Sequence, residues 1–304
     1  MTRGSTFSAK KKRDLAFYIG MLAFPILQFV VFYIAVNANS IFLAFKSYDI
    51  DNGYSFAGFE NFRRVFFDIF HSPELSRAWA NSLLLYLVTT VVGVSLGLLF
   101  SYYIYKKLFF HNGFKILLFL PSILSAIVMA LLFHYFCESA VPEIAEKIFG
   151  KEGMDGLFAN QKTVLPVILF YNVWMGFGTS ILMYTGAMGG VSESLSESAR
   201  LDGCSLLQEF WHITLPGVYP TVVTFLVINL VGVFTNQMHL FSFYGSGAES
   251  SLWTYGYYLF RETQGATLAE YPYLSAMGLV FTIVIVPVTL VVRRLLLKYG
   301  PSPD

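Results

Sequence analysis

Charged residues make up only 13% of this 304-residue sequence, about half the share carried by a soluble domain. Too few ionic groups are present to cover a water-exposed surface of this size, which excludes an ordinary soluble globule. The net charge of +1 supplies no basic field for a polyanion, so nucleic acid is not expected as a partner. The 2 cysteines, Cys137 and Cys204, fall too far apart in the topology derived below to pair, and no disulfide framework is implied. The 5 histidines are scattered without an H-x-x-x-H pair, leaving neither zinc-ligand spacing nor a triad base; His134 and His239 read as interfacial residues. No G-x-x-x-x-G-K-[ST] loop is present. The Lys-Ser and Lys-Thr pairs at Lys46 and Lys162 lack a glycine cradle, so the chain has no ATP-hydrolysing site of its own. Neither a solenoid-period repeat nor a low-complexity tract is visible.

Apolar residues take the place of charge, at 56% of the chain with 31 Phe, 19 Tyr and 4 Trp. Six stretches carry no Asp, Glu, Lys or Arg: Leu15 to Phe45, Ala78 to Tyr105, Ile116 to Cys137, Thr163 to Ser192, Phe210 to Ala248 and Tyr271 to Val292. The shortest spans 22 residues, about 33 Å of helix, enough to cross a hydrocarbon core of about 30 Å. Each is expected to form one transmembrane helix. The fifth is long enough for two, but Tyr244-Gly-Ser-Gly-Ala-Glu249 is turn-rich and polar, so one helix followed by a loop is expected. Val36-Asn37-Ala38 imitates a signal-cleavage site, yet its apolar run is too long for a signal core, and the first span is expected to stay.

Loop lysines and arginines prefer the cytoplasm. With Lys10 to Arg13 inside, the cytoplasmic segments hold 12 basic and 6 acidic residues, against 8 and 13 in the outer loops. Both termini are thus expected in the cytoplasm, with residues 1–14 and 299–304 as tails of a transmembrane domain covering 15–298. Between the first two spans Phe59, Phe62, Phe66, Ile69 and Phe70 recur at helical spacing opposite Asn61, Arg63, Arg64 and Asp68, the pattern of a helix lying on the outer membrane surface. No ionisable side chain lies within a stretch, which argues against an internal proton relay.

One cytoplasmic loop breaks the basic rule: residues 190–216 set Arg200 against Glu193, Glu197, Asp202 and Glu209, an excess that invites a partner. Ser194 and Glu197 have capping-box spacing, and Gly203 suits a left-handed helix end. A second box, Ser205 to Gln208, restarts a helix expected to stop short of Pro216. The expected product is two short helices around a glycine elbow, with Leu195, Ala199 and Leu206 as an exposed apolar knob.

Glu197-Ser198-Ala199, Gly203, and Ile213-Thr-Leu215-Pro216 together resemble the E-A-A-x3-G-x9-I-x-L-P signature of the membrane subunits of binding-protein-dependent ABC importers, with Ser198 in place of the middle alanine. The resemblance implies an all-α, six-helix membrane protein of the type I ABC importer permease fold, whose loop is the coupling helix that docks in an ATPase subunit. Glu197, Ser198, Ala199, Arg200, Asp202, Gly203, Ile213, Leu215 and Pro216 are then the ATPase-docking residues. Phe56-Ala-Gly-Phe-Glu-Asn-Phe62, Asn81-Ser-Leu83, Leu96-Gly-Leu98, Phe119-Leu-Pro-Ser122 and Ser275-Ala276 resemble the carbohydrate branch, in particular the larger membrane subunit of maltose transporters. That subunit's extra N-terminal spans and large outer domain are not matched by any part of this sequence, and roles tied to them are not expected to carry over.

Asn172, Gly176 and Thr179 fall at i, i+4 and i+7, and Asn172-Val-Trp174-Met-Gly176 is similar to the N-x-W-x-G segment whose Asn and Gly line the sugar site. Thr179 stands where that subunit has tyrosine. Asn229 and Asn236, at i and i+7, resemble a Ser and an Asn of the same site. An amide both donates and accepts toward adjacent hydroxyls, and glycine leaves room for a ring; small and amide residues also glue helices together in lipid. Trp174, Tyr184 and Gln237 are further lining candidates. The implied assembly is a multi-pass protein of the bacterial plasma membrane that pairs with a second, homologous permease. It also takes two ATPase subunits that bind ATP and Mg, and an extracytoplasmic binding protein that delivers a sugar or oligosaccharide. The chain itself is expected to bind no cofactor or metal. A secondary carrier or channel working without ATP, and an assembly subunit with no path of its own, are the alternatives.

Overall fold

The structure, a computed structural model, describes residues 3–150 and 153–301; residues 302–304 of the expected tail lie outside that range. Among the described residues six helices are long and apolar enough to cross a membrane: Asp14–Leu43, Pro73–Tyr105, Ala126–Phe149, Gln161–Met188, Leu206–Thr235 and Tyr271–Tyr299. They are spans one to six below, and they match the six charge-free stretches in number and order. The chain divides into two compact units, residues 68–265 with 281–304 and residues 1–67 with 266–280.

In the larger unit the fourth span is the hub, with just over half of its apolar window buried. Asn160 caps it, its side chain accepting from the Lys162 N–H at 2.9 Å. Ile168, Tyr171, Phe177, Ile181, Tyr184 and Met188 point from it into the surrounding clusters. Lipid tails are as apolar as leucine, so close packing rather than water exclusion must hold such helices together. Gly178 illustrates it: a Cβ there would run into the Ser122 side chain. A further knot of aromatics joins the second, fifth and sixth spans, with the Trp79 ring 5.1 Å from Phe234, 5.2 Å from Tyr255 and 5.4 Å from Phe281.

Three local expectations are corrected. Ile116 to Cys137 is not one helix: a helix over His111–Ile123 ends at Leu124, which is extended (φ −82°, ψ 155°), and a new helix starts at Ala126. Pro121 has no N–H to continue the ladder, and the Ser122 hydroxyl takes the Phe119 carbonyl at 2.7 Å, so the turn after the proline is left unsupported. The helix restarted at Ser205 does not stop before Pro216 but continues as the fifth span. A wide turn over Phe210–Thr214, where the Leu215 N–H reaches the Phe210 carbonyl, precedes the proline; this register relieves the clash its ring would make with the carbonyl four residues back. The fifth span ends at Thr235, and Asn236 is extended (φ −76°, ψ 121°) rather than helical.

In the smaller unit a two-stranded hairpin, Lys46–Asp49 against Gly53–Phe56, follows the first span. Asp49 Oδ1 accepts from the Asp51 and Asn52 N–H groups at 3.0 and 3.2 Å and shapes the turn. The aromatic helix is present at Glu60–His71, and Asn61 ties its start to the Ala44 and Lys46 carbonyls at 3.0 and 2.7 Å. Within this unit no residue in the apolar window of the first span is buried.

Candidate functional site

Two places in the larger unit gather the residues singled out by the sequence. The first is the elbow between the fourth and fifth spans. Its first arm is the helix Glu193–Leu201, entered through Ser192, whose hydroxyl lies 2.8 Å from that of Ser194. Helix formation therefore begins before Ser194, and the Ser194 to Glu197 box does not form. The arm ends as the sequence predicts: Gly203 is left-handed (φ +78°), its N–H donates to the Arg200 carbonyl at 3.1 Å, and the Cys204 N–H donates to Ala199 at 2.9 Å. That pair of bonds satisfies two carbonyls at the helix end. The second arm opens with the expected Ser205 to Gln208 capping box, both of its hydrogen bonds present.

Glu197, Ser198, Arg200, Asp202 and Gly203 are exposed, while Ala199, Ile213, Leu215 and Pro216 are half-buried. Of the expected apolar knob Leu195 and Leu206 are exposed and Ala199 is half-buried, and Leu201, not assigned to it, is 89% exposed. Glu209 departs from the acidic fringe assigned to it. It is buried and paired with Lys106, at the end of the second span, and Arg200 Nε lies 3.9 Å from its other oxygen. The pair leaves no local mark in the sequence, because its two members lie 103 residues apart.

The second place is a cavity of about 440 Å³ between the second, fourth and fifth spans and the chain around Ser122 to Ala126. Asn172, Gly176, Asn229 and Asn236 line it, as does Tyr184. Asn172 Nδ2 donates to the Ile168 carbonyl at 2.8 Å and to that of Met238 at 3.2 Å, which leaves its carbonyl oxygen as the free half of the amide. Asn229 Nδ2 lies 3.4 Å from the Thr90 hydroxyl. Asn236 Oδ1 accepts from the Met238 N–H at 2.8 Å, and its own carbonyl accepts from the Thr254 hydroxyl at 2.8 Å.

These bonds hold a tight bend in which Met238 and His239 are both left-handed (φ 54° each), a conformation that costs non-glycine residues energy and persists only where the surroundings fix it. The bend brings His239 into the cavity wall beside Asn236. That role leaves no trace in the sequence, because no glycine marks the bend. Asn229 and Asn236 also border a second cavity of about 440 Å³, so the two amides stand between adjoining spaces. Thr179, by contrast, is exposed and is not part of the wall. Gln237 and Trp174 lie outside it too; Trp174 packs against the cluster around Phe133 and Tyr171. Among the described residues no group of three or more His, Cys, Asp or Glu side chains is placed to hold a metal ion.

Comparison with known proteins gives consistent results. The arabinooligosaccharides transport system permease protein AraP of Bacillus subtilis (strain 168) is 27% identical over 274 residues, covering 89% of this chain and 85% of AraP. The multiple sugar-binding transport system permease protein MsmF of Streptococcus mutans serotype c is 22% identical over 283 residues, covering 91% and 94%. Among solved structures, a chain of a bacterial ABC transporter involved in the import of the acidic polysaccharide alginate superposes with a TM-score of 0.78 at 23% identity, over 97% of this chain and 99% of that one. A structure of the alginate ABC transporter in complex with alginate pentasaccharide-bound periplasmic protein superposes equally well. Residues 89–299 match the model of the binding-protein-dependent transport system inner membrane component family. With six membrane-crossing helices in the fold of an importer permease and a family match over more than two thirds of its length, the chain belongs to the family of binding-protein-dependent transport system inner membrane components.

Proposed function

We propose that this permease passes a sugar or oligosaccharide through the cavity bounded by Asn172, Gly176, Asn229 and Asn236, by alternating access driven by ATP that partner subunits hydrolyse. The observation that carries the reading is the wall itself: three amides converge on an otherwise largely apolar space of about 440 Å³, within the usual range of about 300–1,000 Å³ for small-molecule sites. Amides answer hydroxyl groups in both directions, and the flanking Tyr184, Phe177 and Phe225 rings offer apolar faces to a sugar ring. The arabinooligosaccharide and multiple-sugar transporters among its relatives, and the oligosaccharide-loaded periplasmic protein of the alginate importer, support the same substrate class and a binding protein as the source of cargo.

The elbow is the docking element for ATPase subunits, which bind ATP and Mg. In this reading it faces the cytoplasm, as do both termini, and a second permease completes the path. Each conformational state is favoured by the partner that binds it better: nucleotide-bound ATPases bias one state, and hydrolysis returns the other.

The test is ATP-dependent uptake of labelled arabino-, gluco- and uronate oligosaccharides by the complete complex in liposomes. Asn229→Leu, whose amide reaches only the Thr90 hydroxyl, is expected to lower apparent substrate affinity by about tenfold or more, one or two lost hydrogen bonds, with assembly unchanged. Asn172→Leu and Asn236→Leu are expected to lower it at least as much while also loosening the bend at Met238. Uptake by this chain alone, driven by an ion gradient and indifferent to ATP, would refute the reading.

A further inference from the structure

We propose that Lys106 is a positioning residue for coupling: its buried pair with Glu209 makes the second span, and not only the fourth and fifth joined directly to the elbow, move with the elbow. The inference rests on the reading of the elbow as the ATPase-docking element, and it adds the route by which motion enters the bundle.

The geometry is specific. Tyr102, Tyr105 and Lys106 occupy one face of the last turn of the second span, and the second arm of the elbow lies against that face. The Tyr102 hydroxyl donates to the Leu206 carbonyl at 2.9 Å, and its ring centroid is 5.0 Å from that of Phe210. One turn further on, the Lys106 ammonium meets Glu209 Oε1, with 5% and 1% of the two side chains exposed. The same ammonium lies 5.5 and 5.1 Å from the Tyr102 and Tyr105 rings, whose faces favour a cation. Arg200 approaches the second Glu209 oxygen from the first arm, 60% exposed. Glu209 therefore joins both arms of the elbow to the second span.

Stability alone does not call for such a pair. Apolar side chains of the same shape usually hold a buried site as well or better, whereas separating the two charges strands both in a medium that cannot solvate them. Apolar contacts between helices can slide past one another; a desolvated ion pair with ring faces around it has one register. Force applied at Glu197 or Leu201 then displaces the second span together with its wall of the cavity, where Thr89, Gly93 and Val94 stand.

The experiment uses the complete complex in liposomes with loaded binding protein and reads solute imported per ATP hydrolysed. Lys106→Met and Glu209→Met together replace the pair by apolar side chains of similar length. The double variant is expected to assemble and to hydrolyse ATP when loaded binding protein is added, while importing about 5- to 150-fold less per ATP, the range of ordinary coupling energies between sites. Lys106→Arg, which keeps the charge, is expected to hold the wild-type ratio. An unchanged ratio in the double variant overturns the proposal. So does its failure to assemble, because the pair would then build the complex rather than transmit its motion. Glu197→Arg run alongside separates the two readings: stimulated hydrolysis undiminished by that change means the elbow is not the docking element, whatever the Lys106 variants do.

Discussion

Substitution at Gly203 separates backbone strain from loss of docking space. Gly203 is left-handed (φ +78°), and a Cβ built on it meets nothing within 4 Å, so within this chain the cost of a side chain is conformational. For an ordinary L-residue that cost is about 1–2 kcal/mol, paid each time the elbow adopts the bent form with its Ala199 and Arg200 carbonyls capped. A penalty of that size shifts the bent population by about 5- to 30-fold. Asn tolerates the left-handed region better than Ala or Val. Strain therefore predicts an order of Gly, Asn, Ala, Val in apparent affinity for ATPase subunits, measured by titrating them against the reconstituted permease pair and following hydrolysis stimulated by loaded binding protein. If instead a partner surface packs against the glycine, the order follows volume and Ala outperforms Asn. An Ala variant superior to Asn, or a Val variant indistinguishable from wild type, refutes the strain argument.

Other expectations follow from single contacts. In Gly256→Ala the new Cβ would lie 2.6 Å from the Thr235 carbonyl carbon and 2.9 Å from the Asn236 nitrogen, backbone atoms that cannot rotate away; the expected loss is about 1–3 kcal/mol, seen as a lower melting midpoint, with reduced uptake because Asn236 is displaced. Asn81→Leu removes the donor to the Ser251 and Trp253 carbonyls, now bonded at 2.9 and 3.0 Å. It should cost about 1–3 kcal/mol and speed proteolysis within residues 245–254, and an unchanged cleavage rate would count against that tether. Ser205→Ala deletes the capping box and should weaken the second arm by about 1 kcal/mol, read as faster amide exchange at Gln208; unchanged exchange there would mean the arm is held from the second span instead.

The six spans could be read from the sequence because hydrocarbon thickness imposes a minimum apolar length, and charge-free runs report it directly. The elbow was legible where local chemistry decides: Gly203 is left-handed and Ser205 with Gln208 forms its box. Prolines were harder to read. Pro121 is followed by a break, whereas Pro216 lies inside a continuous helix after a wide turn and Pro287 lies inside the sixth span without one, so a proline by itself does not mark a helix end. The cavity wall was half legible. Asn172 and Gly176 line it together with Val173, Met175, Phe177, Ser180 and Tyr184 of the same span, whereas Thr179, aligned with Asn172 by an interval of seven, is exposed outside it, so helical spacing alone does not select the wall. The bend at Met238 and His239 lacks the usual glycine, and the Lys106 to Glu209 pair joins residues 103 apart in sequence; neither leaves a local trace.

A helix whose apolar window finds no burial in its own unit contributes little to the cooperative transition that a melting curve reports. Substitutions along Phe17 to Val36 that keep apolar character should leave the thermal midpoint of the isolated subunit unmoved, however severe their effect inside the complete transporter. For that segment the test of tolerance is the yield of intact complex, and a scan of the lone polypeptide would score every position there as dispensable.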